Sequence, residues 1–235
     1  MKLGVNIDHI ATLRNARGGA EPNLVEAARI ALKHDILALT MHLREDRRHI
    51  KDEDLYNVKK LGAKINLEMA ATSEIQKIAL DLLPYSVCIV PERRQEITTE
   101  GGLDVVGQKE YLKEFIGPLK QAGILVSMFI DANSEQVEAS SYIGADYIEM
   151  HTGCFSNAFE KGDFEKELEQ LKVAAKYAQS LGLKVNAGHG LNYENVYLMK
   201  QISGLCELNI GHSIISKSIF VGLDCAIDKM LELIK

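Results

Sequence analysis

Tryptophan is absent from the 235 residues, proline occurs four times, and no apolar run is longer than a strand. A bilayer-crossing helix needs ~20 consecutive apolar residues, so that shortfall excludes one. Met1 leads directly into a short apolar stretch with no charged-then-apolar leader, and the expectation is a cytoplasmic protein. Cys88, Cys154, Cys206 and Cys225 are widely spaced without a CxxC pair, which leaves little support for a zinc knuckle or a disulfide framework. Basic residues are not in excess: 27 Lys and Arg against 33 Asp and Glu give a net charge of -6. That is the wrong sign for a face that neutralises nucleic-acid phosphates. No low-complexity stretch reads as a linker, so residues 1–235 are expected to form a single domain, close to the ~250 residues of one α/β barrel.

What is present is alternation. Short apolar runs rich in β-branched residues are followed by longer segments of helical period, the pattern of repeated β/α units around a parallel sheet. Eight units are counted, with strands expected at Leu3–Asp8, Ile36–His42, Lys64–Met69, Ser86–Pro91, Leu125–Asp131, Tyr147–Thr152, Lys184–His189 and Glu207–Gly211, each followed by a loop and then a helix. In the sixth unit Phe164, Leu168, Leu171, Ala174, Ala175, Ala178 and Leu181 recur at three- and four-residue steps, and Gly182 follows as a stop. An open doubly wound sheet is the structural rival, but it normally carries a Gly-rich dinucleotide turn after its first strand, and no GxGxxG occurs. The expected fold is a single (β/α)8 TIM barrel with long βα loops on its C-terminal face.

In such a barrel, the side chains able to meet across the mouth lie at or just beyond the carboxyl ends of the strands. Asn6, Asp8, His9, His42, Arg44, Glu68, Asp131, Glu149, His151, Asn186, His189, Asn209 and His212 fall there. Six of the seven histidines lie in this ring or its loops; His34, near the end of the first helix, is given no catalytic role. Imidazole is the side chain most readily tuned for proton exchange near neutrality. Glu68 sits inside an apolar strand where desolvation raises a carboxyl pKa, which makes it a candidate general base; a structural ion pair with a rim arginine is the alternative. Seven of eight arginines (all but Arg29) are assigned to loops, as though held for local anion sites. Glycine-rich stretches at 186–192 and 209–214 suit a phosphate nest, with Ser213 opening the final helix. A second anion site is expected near Arg17, Arg44 and His49, and the polar loop 91–102 is read as a lid.

The segments NIDHIATLRNARG (6–18), HLREDRRHI (42–50), NLEMA (66–70), VPERRQEITTEGG (90–102), HTGC (151–154), NAGHGL (186–191) and NIGH (209–212) resemble the motifs of the pyridoxine 5′-phosphate synthase family across the whole chain. The resemblance implies condensation of 1-deoxy-D-xylulose 5-phosphate with 3-amino-2-oxopropyl phosphate in vitamin B6 synthesis, without cofactor or metal, by a homo-octamer. It also implies His42 and Glu68 as proton acceptors and His189 as proton donor. Asp8, His9, Arg44, His49 and Thr98 match the deoxyxylulose phosphate contacts; Asn6, Arg17, Gly190, Gly211 and His212 match those for the amino-ketone phosphate. No lysine ends an expected strand, in keeping with a substrate amine as the nitrogen nucleophile. One departure from the family's style is HDI at 34–36, where a Gly-Ala approach to the strand is commoner. Two rivals remain: a metal-dependent aldolase or hydrolase, although no HxH or HExxH pair occurs, and a non-enzymatic phosphate-sugar sensor.

Overall fold

The computed structural model describes residues 1–93, 96, 98 and 101–235. Among them, eight parallel strands close into a barrel in chain order: β1 (Lys2–Asn6), β2 (Ala38–His42), β3 (Ile65–Met69), β4 (Ser86–Ile89), β5 (Leu125–Ile130), β6 (Tyr147–His151), β7 (Lys184–Gly188) and β8 (Leu205–Ile210), with β8 paired to β1. Ten α-helices surround them: α1 (Asp8–Arg17), α2 (Leu24–Ala31), α3 (Asp52–Lys59), α4 (Ser73–Leu82), α5 (Val105–Gln121), α6 (Ser134–Tyr142), α7 (Gly153–Lys161), α8 (Glu165–Ser180), α9 (His212–Val221) and α10 (Leu223–Ile234). Side chains of Asn23, Thr72, Asp104 and Asn133 accept backbone N–H bonds at the starts of α2, α4, α5 and α6, satisfying donors that have no partner within the helix.

All eight expected strands are present within about two residues at most ends. The connections differ more. Asp8 does not end a strand but begins α1, and α7 begins at Gly153, within HTGC and two residues after β6 ends at His151. Two supposed rim loops are therefore helices laid on the mouth, and Arg14 and Arg17 are helical. The seventh unit lacks an α-helix and crosses over by a 3₁₀ segment, Val196–Gln201. Two helices, not one, follow β8.

The strands alternate with period two. Leu39, Met41, Leu67, Val87, Met128, Ile148, Met150, Val185 and Leu208 are buried in the apolar core that packs the barrel against its helices. Their neighbours are polar and meet inside the barrel: Thr40 Oγ1 donates to Asn209 Oδ1 (2.8 Å), Ser86 Oγ to Asn66 Oδ1 (2.9 Å) and Asn209 Nδ2 to Glu149 Oε2 (2.6 Å). Bonds from β8 to β2 and to β6 skip an intervening strand, which only an interior path allows. Gly4 of β1 makes the first possible, since a Cβ there would stand 2.6 Å from Glu207 Oε1 and still closer to Asn209 Oδ1. Glu149, Asn186 and Asn209 thus lie within the barrel, below the rim on which the strand-end argument placed them. Two residues along a strand are ~6.6 Å, which separates Glu149 from His151 by one layer.

Candidate active site

His42 ends β2 and is in register with Glu68 of β3, so closure sets the two side by side. His42 Nδ1 stands 3.7 Å from Glu68 Oε2. Asp8, the first residue of α1, reaches over: its Oδ1 accepts the His42 backbone N–H at 3.0 Å and its Oδ2 accepts Asn6 Nδ2 at 3.0 Å. One donor atom from each of Asp8, His42 and Glu68 lies within 4.8 Å of the others. Burial, then the charges of Asp8 and Glu149, push Glu68 well above the ordinary carboxyl range. Among the described residues no arginine forms an ion pair with Glu68; the ionisable side chain beside it is the His42 imidazole.

A second group surrounds this core. The ring of His9 lies 5.1 Å from that of His212 and 6.3 Å from that of His49, and Thr12 Oγ1 is 2.8 Å from His49 Nδ1. Asn15 Nδ2 donates to the His49 carbonyl at 2.7 Å, so α1 holds the loop after β2 in place. Burial first, then neighbouring positive or imidazole groups, lowers the pKa of His9 and of His49. His9 Nδ1 and Arg44 Nε are buried without a hydrogen-bond partner among the described residues. Buried polar atoms without a hydrogen bond are uncommon and costly; of these two, Arg44 Nε still lies 3.4 Å from Asp46 Oδ1, which leaves the His9 ring nitrogen as the one with no polar partner among the described residues.

His189 follows β7 with φ of 80°. Its ring centre is 4.9 Å from that of His151, and both rings pack on Phe129. Burial and then His151 lower the His189 pKa, which makes the imidazolium a stronger acid when it forms. His151 Nδ1 lies 3.3 Å from Asp131 Oδ1, and Asp131 accepts from the Gly102 N–H (3.0 Å) and from Thr98 Oγ1. Asn6 packs against Gly211, where a Cβ would approach its side chain to 2.9 Å. Ser213 Oγ donates to the Leu191 carbonyl at 2.8 Å; Ser213 is the second residue of α9, and its hydroxyl ties the two glycine-rich stretches together.

The expected residues therefore gather in linked groups, with exceptions. Arg17 ends α1, exposed, and makes no hydrogen bond or ion pair among the described residues. Thr98 sits with Asp131 and His151 instead of with Asp8. Most arginines are occupied by protein carboxylates: Arg14 by Asp54 (2.6 and 2.8 Å), Arg47 by Asp52 and Glu74, Arg48 by Asp46 and Arg93 by Glu45. A planar fork matches a carboxylate as well as a phosphate. Of the loop read as a lid, Arg94, Gln95, Ile97, Thr99 and Glu100 lie outside the described residues. One neighbour of His42 had escaped notice. Glu92 Oε1 is 2.9 Å from His42 Nε2, and the only hint in the sequence was a carboxylate in a charge-rich loop after a strand.

A closed eightfold β/α barrel whose carboxyl rim packs imidazoles against buried carboxyls is an acid–base barrel enzyme. Solved structures agree on the fold: a 4-hydroxy-2-oxoglutarate/2-dehydro-3-deoxyphosphogluconate aldolase from TTHB1 superposes with a TM-score of 0.65 at 14% identity, covering 99% of this chain and 94% of that one. Phosphoribosyl anthranilate isomerase from Thermus thermophilus gives 0.62 at 12%, covering 99% and 100%. Sequence comparison is more specific. The chain belongs to the family described as Pyridoxal phosphate biosynthesis protein PdxJ, whose model matches residues 3–235. It is 58% identical to the pyridoxine 5′-phosphate synthase of Sulfurihydrogenibium sp. (strain YO3AOP1) and 54% identical to that of Geobacter sulfurreducens, in each case over 100% of this chain and 98% of the relative.

Proposed function

We propose that this chain condenses 1-deoxy-D-xylulose 5-phosphate with 3-amino-2-oxopropyl phosphate, releasing pyridoxine 5′-phosphate, inorganic phosphate and water. The observation that carries the reading is the Asp8–His42–Glu68 cluster, with a buried His9 ring nitrogen and Arg44 Nε that make no hydrogen bond among the described residues. The substrate amine attacks a carbonyl to give an imine, and the later elimination and ring closure each move protons. His42 and Glu68 take protons, and His189, on the His151 side of the rim, returns one. Burial raises the Glu68 pKa above the ordinary carboxyl range, which makes its carboxylate a stronger base once ionised. His9, His49 and Arg44, with Asp8 and Thr98, hold the deoxyxylulose phosphate; Asn6, Gly190, Gly211 and His212, with Arg17, hold the amino-ketone phosphate.

The reaction as proposed uses no metal or cofactor, and the whole chain acts as one catalytic domain in the cytoplasm. Three ligand atoms within 4.8 Å also have the dimensions of a cation site. However, Asp8 already accepts hydrogen bonds at both oxygens. Supplying both substrates to the purified protein is expected to release phosphate stoichiometrically with product, undiminished by chelator. No release from the pair would dispose of the reading, and release abolished by chelator with stoichiometric bound metal would favour the metal-dependent rival. The homo-octamer is what the family resemblance implies; Ile219 and Phe220 on α9, the latter 85% exposed, offer adjoining apolar side chains for a contact between copies without fixing their number. Light scattering is expected to return the mass of eight copies.

A further inference from the structure

We infer that Glu92 is a positioning residue for His42: its carboxylate fixes the ring with hydrogen on Nε2 and leaves Nδ1 as the proton-accepting atom. The inference rests on the function proposed above, in which His42 accepts a proton.

Glu92 follows the end of β4, and its side chain is only 4% exposed. Both oxygens are engaged. Oε1 stands 2.9 Å from His42 Nε2, while Oε2 accepts the Glu45 backbone N–H at 3.1 Å and faces Arg44 Nη2 at 3.9 Å. The backbone is held as well, because the N–H groups of Glu92 and Arg93 donate to Glu96 Oε2 at 3.0 and 3.1 Å. Burial alone would raise the Glu92 pKa, but the bonds from His42 and the Glu45 N–H, with the charges of His42 and Arg44, bring it below the ordinary value. Glu92 is therefore an acceptor near neutral pH, and Nε2 must donate.

The consequence falls on the opposite side of the ring. A neutral imidazole carries one proton, so a bond that keeps it on Nε2 bares the lone pair of Nδ1. Nδ1 is the atom that faces Glu68, at 3.7 Å. A carboxylate behind the ring also steadies the imidazolium once a proton has been taken, the arrangement seen where an aspartate backs a catalytic histidine. The same Glu92 oxygen pair spans His42 and the Glu45 N–H, so the segments after β2 and β4 are joined at this side chain.

The test compares Glu92→Ala and Glu92→Gln with the wild-type chain, using ring 15N resonances of His42 in the free protein and kinetics with both substrates. The wild type is expected to show His42 protonated at Nε2 and bare at Nδ1. Glu92→Ala is expected to mix the tautomers and to lower kcat by ~10- to 100-fold, with each KM within about threefold. Glu92→Gln keeps an acceptor oxygen without the charge; it is expected to retain the tautomer and recover part of kcat. It also carries the test if Glu92→Ala does not fold. An unchanged tautomer in Glu92→Ala, wild-type kcat in Glu92→Ala, or, where that variant is not folded, wild-type kcat in Glu92→Gln overturns the inference. Failure of the wild type to release phosphate overturns the function instead, and the resonances still decide how Glu92 acts on the ring.

Discussion

A carboxyl and an imidazole 3.7 Å apart at the mouth of a barrel determine what single substitutions should do. Glu68→Gln keeps the size of the native side chain, and His42→Asn keeps a polar group near the position of Nδ1, but neither can take up the proton. Each is expected to slow turnover by ~100-fold or more with substrate affinity largely intact, measured by phosphate release and by calorimetric titration. Because burial lifts the Glu68 pKa and a base must be ionised to act, turnover should fall as pH drops through a range above that of ordinary carboxylates; a pH–rate profile checks this. Gly190 has φ of 80°, and a Cβ there would lie 2.7 Å from Ser156 Oγ. Gly190→Ala is expected to cost ~1–3 kcal/mol in denaturant unfolding and to weaken binding of the amino-ketone phosphate. At this scale His42, Glu68 and His189 were legible because their positions follow from strand ends. Glu92 was not, since its partner lies fifty positions away and nothing local marks one glutamate among the charges of 91–102.

Whole strands were easier to read than the connections between them. Short apolar runs rich in β-branched residues, alternating with segments of helical period, identified all eight, whereas α1 and α7 pass directly from strand to helix without a turn signal and look like polar loops. Much of α1 faces water, with Leu13, Ala16 and Arg17 exposed, so its apolar stripe is thin; what holds it is Arg14 on Asp54 and Asn15 on the loop after β2. His34 shows the same dependence on distant partners. It follows α2 and sets its two ring nitrogens 2.9 and 3.1 Å from Asp228 and Asp224 of α10, with its own side chain 10% exposed. His34 thus clamps the second helix to the last. His34→Ala is expected to lower unfolding free energy by about 1 kcal/mol, the carboxylates being largely solvated, with little effect on turnover.

Barrel closure encloses two interior carboxyls, and the consequence belongs to the molecule as a whole. Burial pushes Glu149 up to about 7 and Glu207 to about 8, from an ordinary 4.5. The folded state then binds more protons than the unfolded chain between about pH 4.5 and 8. The stability these groups contribute is complete below that window and is lost as pH rises through it, with a slope approaching ~1.4 kcal/mol per unit for each group. Glu207 Oε1 and Asn186 Oδ1 have no hydrogen-bond partner among the described residues. An amide at 207 brings a donor and no charge, so Glu207→Gln is expected to flatten the decline and to raise stability at pH 8, as read by urea denaturation across pH.

By itself the sequence determined the number, type and order of strands, the identity of most groups on the rim, and the family, because periodicity and contiguous motifs are local properties carried by neighbouring residues. Only the tertiary structure decided that the barrel's interior is polar, that most arginines answer to protein carboxylates, and that Glu92 stands behind His42. Those are contacts between side chains far apart in the chain, and a hydrogen bond depends on distances of tenths of an ångström that no spacing along one strand specifies.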